Sequence, residues 1–243
     1  MNFEIKAENI GHFDVAVSGG GIAGACAAIS AAREGAKVIL IERAGSLGGT
    51  LTEGFMPILL DSQNKGGIVR ELYAFLDSRA EVFDIVEKHK KIPGYEGLYT
   101  AFTSSHIGVR EGRRIYGEYR ITDEDILEGV RFDDGICLVT FGVDVHKLKC
   151  DDTTDCKRGY RAIPYNIPYR ALVAKGVDNL LLAGRCISGD FYPHASYRVM
   201  GNMAASGEAA GFAAAKCAKE CTLPRSFDGR RAREFMENRG YEV

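Results

Sequence analysis

A chain of 243 residues, 46% hydrophobic, 26% charged and with a formal net charge of −2, has an ordinary globular composition and length for one large domain or two small ones. It carries no strong positive field to draw it to nucleic acid, since its basic clusters, "REGRR" and "GRRAR", are short and mixed with acids. No apolar run approaches the roughly 20 residues that cross a bilayer, and "MNFEIKAENIGHF" lacks the apolar stretch of a signal peptide, so a cytoplasmic location is expected.

In chain order, Val15–Val17 is the first apolar run, with the look of a buried parallel strand. Gly19, Gly20 and Gly21 turn the chain, and the alanine-rich stretch from Ile22 to Arg33 favours helix until Gly35 stops it. "KVILIE" is a second buried strand, ending in Glu42. Strand, glycine turn, helix and strand within about thirty residues form a unit that binds dinucleotides. Gly19 permits the tight turn, Gly21 lets the backbone approach a pyrophosphate, and Gly24 lets the helix pack closely on the strand. The helix N-terminus then offers free amides and a positive dipole end to the phosphates. Glu42, 18 residues beyond Gly24, stands where a carboxylate accepts hydrogen bonds from both ribose hydroxyls, and its charge disfavours a 2′-phosphate. No Gly-Lys-Ser/Thr follows the glycines, which excludes a P-loop. An adenine dinucleotide is expected, and these residues alone leave open which one.

Next comes the glycine-rich loop "RAGSLGGTLTEG" and a helix from Gly67 to about Lys90, with Ile68, Leu72, Phe75 and Leu76 on one face. From Pro93 to Tyr119 the composition fits short strands and turns. Arg110, Arg113, Arg114 and Arg120 lie along an expected hairpin there. "TDEDILEG" has the cap, early acids and glycine stop of a short helix, and "GICLVTF" is a strand. A polar surface loop covers Lys147 to Arg161, and "NLLLAG" is the third buried strand. "RCISGD" leads to an alanine-rich helix from about Tyr197 to Glu220, and an amphipathic helix, "FDGRRAREFMENRG", follows. The seven cysteines form no C-x-x-C and no zinc or iron–sulfur spacing. They read as reduced thiols used as small apolar residues, and no metal site is expected.

The combination resembles a family. "GGGIAGACAAISAAREGAKVILIERAGSLGGT", "GVREGRRIYGEYRITDEDILEG", "IPYRALV" with "VDNLLLAGRCIS", and "ASYRVMGNMAASGEAAG" are similar to the FAD-dependent oxidoreductases of the glutathione-reductase-like class, in the branch related to fumarate-reductase-type flavoproteins. The resemblance implies an α/β fold: a Rossmann-like FAD-binding domain, its parallel sheet flanked by helices, plus a reduced central β-rich segment. It implies a discontinuous FAD-binding domain over 1–90 and 160–243, with a substrate-side segment over 91–159. By the same resemblance Gly19, Gly21 and Gly24 hold the FAD pyrophosphate, and Glu42 with Arg43 the adenosine side. Gly48, Gly49 and Thr50 lie along the flavin, Gly184 and Asp190 meet the ribityl chain or pyrophosphate, and Arg198 and Met200 stand by the isoalloxazine.

Family members are longer and carry in mid-chain an adenine-side strand and a strand ending in Ala-Thr-Gly, and neither motif occurs in this sequence. Two catalytic candidates follow. Arg110 is a contact for a substrate carboxylate or the flavin, and His146 in "DVHK" is a proton carrier near neutral pKa. The expected activity is hydride transfer between flavin N5 and a small organic substrate, with a homo-oligomer or a partner chain completing the shortened middle. Two rivals stay open: a flavin- or dinucleotide-binding subunit without catalysis, and an NAD-linked dehydrogenase.

Overall fold

The structure is a computed structural model that describes residues 9–54, 56, 59–77, 111–145 and 162–243. Strand β1, Val15–Ser18, runs into helix α1, Ile22–Arg33, which returns to strand β2, Val38–Ile41. β1 and β2 pair in parallel with Val15 opposite Val38 and Ser18 opposite Ile41. The turn between β1 and α1 needs Gly19, whose φ of +96° lies in the left-handed region that a side chain resists.

Helix α2 covers Gly67–Asp77; the rest of the helix expected up to about Lys90 lies outside the described residues. Helix α3, Asp123–Glu128, is closed by a capping box: the Asp125 amide donates to the Thr122 hydroxyl, and the Asp125 carboxylate accepts from the Thr122 amide. Strands β3, Gly135–Val139, and β4, Tyr165–Pro168, form an antiparallel pair that is buried throughout. The polar loop expected over 147–161 lies outside the described residues, save that Ala162 begins the next described stretch.

The C-terminal part is helical. A short helix α4, Phe191–Tyr197, precedes the long helix α5, Met200–Glu220, and helix α6, Gly229–Asn238, follows. α5 is the spine of the core: from Gly201 to Phe212 every residue is buried. It crosses α1 at backbone contact distance. A Cβ on Gly207 would stand 2.0 Å from the Ala23 carbonyl oxygen, and one on Gly211 would stand 2.1 Å from that of Ala27. Glycines four residues apart therefore face alanines four residues apart, one helical turn each. Glu208, fully buried between them, ties three elements together by accepting from the Ile68 amide (2.8 Å), Tyr241 Oη (2.7 Å) and Arg239 Nε (3.1 Å).

Two expectations are corrected. "NLLLAG" is not a strand: Leu181 makes one isolated bridge to Val173, and Leu180 is 39% exposed although Leu182 is buried. An apolar run becomes a sheet strand only when a neighbour satisfies its backbone along its length. The two sheets among the described residues have two strands each, and neither reaches it. The hairpin expected around Arg113, Arg114 and Arg120 is likewise absent from the described part. That segment instead lies along residues 170–175 and 186–190, through bonds such as Ile115 N–H to Cys186 O and Ile121 N–H to Ser188 O. The thiols of Cys26, Cys137 and Cys217 are buried and free, as small apolar residues are.

Candidate functional site

A cavity of about 1370 Å³ opens along β1 and over the start of α1. Its wall at the carboxyl end of β1 is built from the glycine turn, from Gly48–Thr50 and from Gly184–Cys186. The 48–50 loop is docked on the turn: the Gly48 amide donates to the Gly20 carbonyl at 2.8 Å, and Gly21 and Gly48 bridge in parallel. Gly184 is fixed from beneath, its amide donating to Ser206 Oγ of α5 at 2.9 Å.

The three glycines of the turn differ in what they make room for. A Cβ on Gly24 would stand 1.8 Å from the Gly19 carbonyl oxygen, so that position is closed by the chain itself. At Gly19 and Gly21 a Cβ would meet nothing within 4 Å. The space in front of α1 is thus open, and it belongs to the cavity. Gly21 is the N-cap of α1 and supplies no side chain, so the first amides of the helix are left for a bound group. Open volume, free amides and the positive end of a helix are what a pyrophosphate requires. These residues fit the phosphate part of FAD.

Glu42 stands beside this turn rather than in the cavity wall. It is half-exposed and accepts from the Gly20 amide at 2.5 Å and the Ala44 amide at 2.9 Å. The Ala44 bond, then that from Gly20, holds its carboxyl below the usual carboxylate range. A carboxylate has about four acceptor sites, so these bonds do not exhaust it. Arg43 is exposed and outside the wall.

The same cavity is also lined by Arg185, Cys186, Arg198, Val199 and Met200. The Arg198 side chain is almost buried, donating to Glu111 Oε1 at 2.9 Å and to the Asp144 carbonyl at 2.7 Å. Burial and the neighbouring Arg198 push the Arg185 guanidinium down from its ordinary value. Behind them His194 is buried, its Nε2–H donating to the Arg185 carbonyl at 3.2 Å and its Nδ1 without a partner among the described residues. Burial first, and then Arg114 and Arg198, lower this imidazole to about 4, so it is neutral. The N-cap of α5, Val199, has no capping side chain, and that helix end also meets the cavity.

Of the expected cofactor residues, the structure brings Gly19, Gly21, Gly24, Gly48, Gly49, Thr50, Gly184, Arg198 and Met200 to one cavity. Asp190 is elsewhere: it lines a second, smaller pocket and pairs with Arg120 at 3.3 Å. Arg110 and His146 lie outside the described residues. Sequence reasoning missed Arg185, although it directly follows Gly184 in "AGRCIS". It also missed Ile115 and Asp144, which reach the cavity only through tertiary contacts. No group of metal-ligating side chains is found among the described residues, and no helix there is long and apolar enough to cross a membrane.

The elements and the site together describe an α/β protein whose glycine turn presents a helix end to an open cavity. The chain belongs to the FAD-dependent oxidoreductase family, whose model matches residues 14–91 and 76–236. The cofactor of that family is FAD. Comparison with curated proteins and with solved structures found no match.

Proposed function

We propose that this chain binds FAD in the Rossmann manner and moves a hydride between flavin N5 and a small organic substrate. The observation that carries this reading is the open space at Gly19 and Gly21, set against the uncapped end of α1 and within the large cavity. In it the pyrophosphate rests on Gly19, Gly21 and the first amides of α1, while Gly24 keeps the helix close. Glu42, with Arg43 next to it, takes the adenosine ribose. Gly48, Gly49 and Thr50 would line the inner flavin side, Gly184 the ribityl chain or pyrophosphate, and Arg198 and Met200 would stand at the ring. When bound, the flavin supplies the two-electron acceptor or donor. The chain's part is to position the ring and to oppose negative charge at its N1–C2=O edge with the positive end of α5.

Arg110 remains the proposed substrate contact and His146 the proposed proton carrier. Residues 1–90 and 160–243 are the proposed FAD-binding unit and 91–159 the substrate side. This division is one of function, because Ile121, Ile136 and Val139 share a single apolar core with Tyr165, Leu182 and Met236. The test is the visible spectrum of the purified protein. Bands at about 370 and 450 nm belong to bound flavin. Their bleaching by one member of a substrate panel marks turnover. A protein that takes up no flavin even when refolded with FAD overturns the proposal.

A further inference from the structure

A second pocket of about 320 Å³ lies between the segment that carries Arg113, Arg114 and Arg120 and the turn Ser188–Asp190. Ile115 lines both this pocket and the main cavity, so the two adjoin at this residue. Its walls are held by backbone. Ile115 and Ile121 donate to the Cys186 and Ser188 carbonyls, and the Ser188 amide donates to Ala171 O. The backbone on both sides of the pocket is thus tied down, while the side chains of Arg113, Ile115, Tyr116 and Arg120 are exposed.

Its charge is unbalanced. Three guanidiniums face one carboxylate, and Asp190 is engaged by Arg120 at 3.3 Å. Asp123 lies close to Asp190, and burial together with that neighbour raises its carboxyl above the ordinary range. Glu111 is taken by Arg198. Arg113 and Arg114 have no ion-pair partner among the described residues. Ser188, 1% exposed, lines the same pocket, and its hydroxyl has no hydrogen-bond partner there. A buried hydroxyl left without a partner costs free energy, so one that borders this pocket would gain from a bound acceptor. Guanidinium forks and a hydroxyl together match the oxygens of a carboxylate or phosphate group.

We infer that this pocket binds an oxyanion, and that it holds the carboxylate or phosphate group of the substrate beside the flavin. The second half of the inference rests on the function proposed above; the first half does not. The experiment is calorimetric titration of the purified, FAD-loaded chain with acetate and, separately, with inorganic phosphate, followed by flavin absorbance. Saturable binding of at least one anion is expected, and whichever binds names the group. The double variant Arg113→Gln/Arg114→Gln should weaken it at least tenfold. Asp190→Asn should tighten it, because a competing carboxylate is gone while both free arginines stay. Thermal melting of each variant checks that it is folded. The opposite sign in Asp190→Asn guards against a merely damaged double variant. No saturable heat from either anion up to roughly ten-millimolar concentration, or binding indifferent to all these changes, overturns the site. Binding that leaves the flavin spectrum unmoved overturns its place beside the ring. If the chain holds no flavin, the same titrations on the unloaded protein still decide the oxyanion site.

Discussion

Gly21 and Gly24 are three positions apart and do opposite things. A side chain at Gly21 enters open space, whereas one at Gly24 collides with the Gly19 carbonyl oxygen. Gly21→Val should therefore fold with near wild-type stability and lose FAD. Gly24→Val should lose stability by about 1–3 kcal/mol or more as well, through overpacking. Chemical denaturation with flavin content measured on both variants separates the two roles, and equal loss of stability in both would contradict the distinction. Glu42 adds a pH dependence. Its carboxyl is depressed by the Ala44 and Gly20 amides, so the stabilisation of the turn is present above the ordinary carboxylate value. It is lost as the pH falls from there through the lowered folded value. FAD retention should fall over that acid window, and Glu42→Gln should bind less tightly at neutral pH and show a flatter acid limb. An acid limb unchanged in the variant would assign the titration to another group.

Elements pack here by the absence of side chains as much as by their presence. α1 and α5 meet through Ala23, Ala27, Gly207 and Gly211, and backbone oxygens of one helix fill the space where Cβ atoms of the other would be. Gly184, which lines the cofactor cavity, hangs from Ser206 on the same helix. Moving α5 by a few tenths of an ångström therefore moves the site. Gly207→Ala should cost about 1–3 kcal/mol in denaturant unfolding and weaken FAD retention in the same variant. A variant as stable as the parent would mean that the helices do not cross so closely. The sequence marked α5 as an alanine-rich helix, but its partner on α1 was not legible there.

At the scale of the whole molecule, open room lies beside β1 among the described residues. The cavity reaches from the glycine turn at the carboxyl end of the strand past Asp14 and Val15, to Cys221 and Leu223 beyond α5. Ligands of open α/β sheets bind at the carboxyl ends of strands, and small-molecule pockets measure roughly 300–1,000 Å³. The remaining volume is room beside an edge of β1 that nothing among the described residues pairs with. Ile41, at 55% exposure, is apolar surface on the same small sheet. An open edge invites pairing, so the expected behaviour is self-association over this edge or FAD that is easily lost. Size-exclusion chromatography with light scattering, with and without added FAD, reads both. A stable monomer that keeps stoichiometric FAD through dialysis would show that the chain closes its own pocket.

By itself the sequence determined what depends on neighbours along the chain. Helix α1 from Ile22 to Arg33, the capped α3, the strand at Gly135–Val139 and the glycine turn follow from local propensity, backbone freedom and capping chemistry. So does the family, because the motifs that identify it are contiguous. Only the tertiary structure decided what depends on distant partners. "NLLLAG" has the composition of a strand and lacks the neighbour that would make it one. Asp190 pairs with Arg120, some seventy positions earlier, and Arg185 lines the cavity, and neither contact is written in the residues around it. Pairing free energy belongs to two segments at once, and one segment's residues cannot encode whether the other is there.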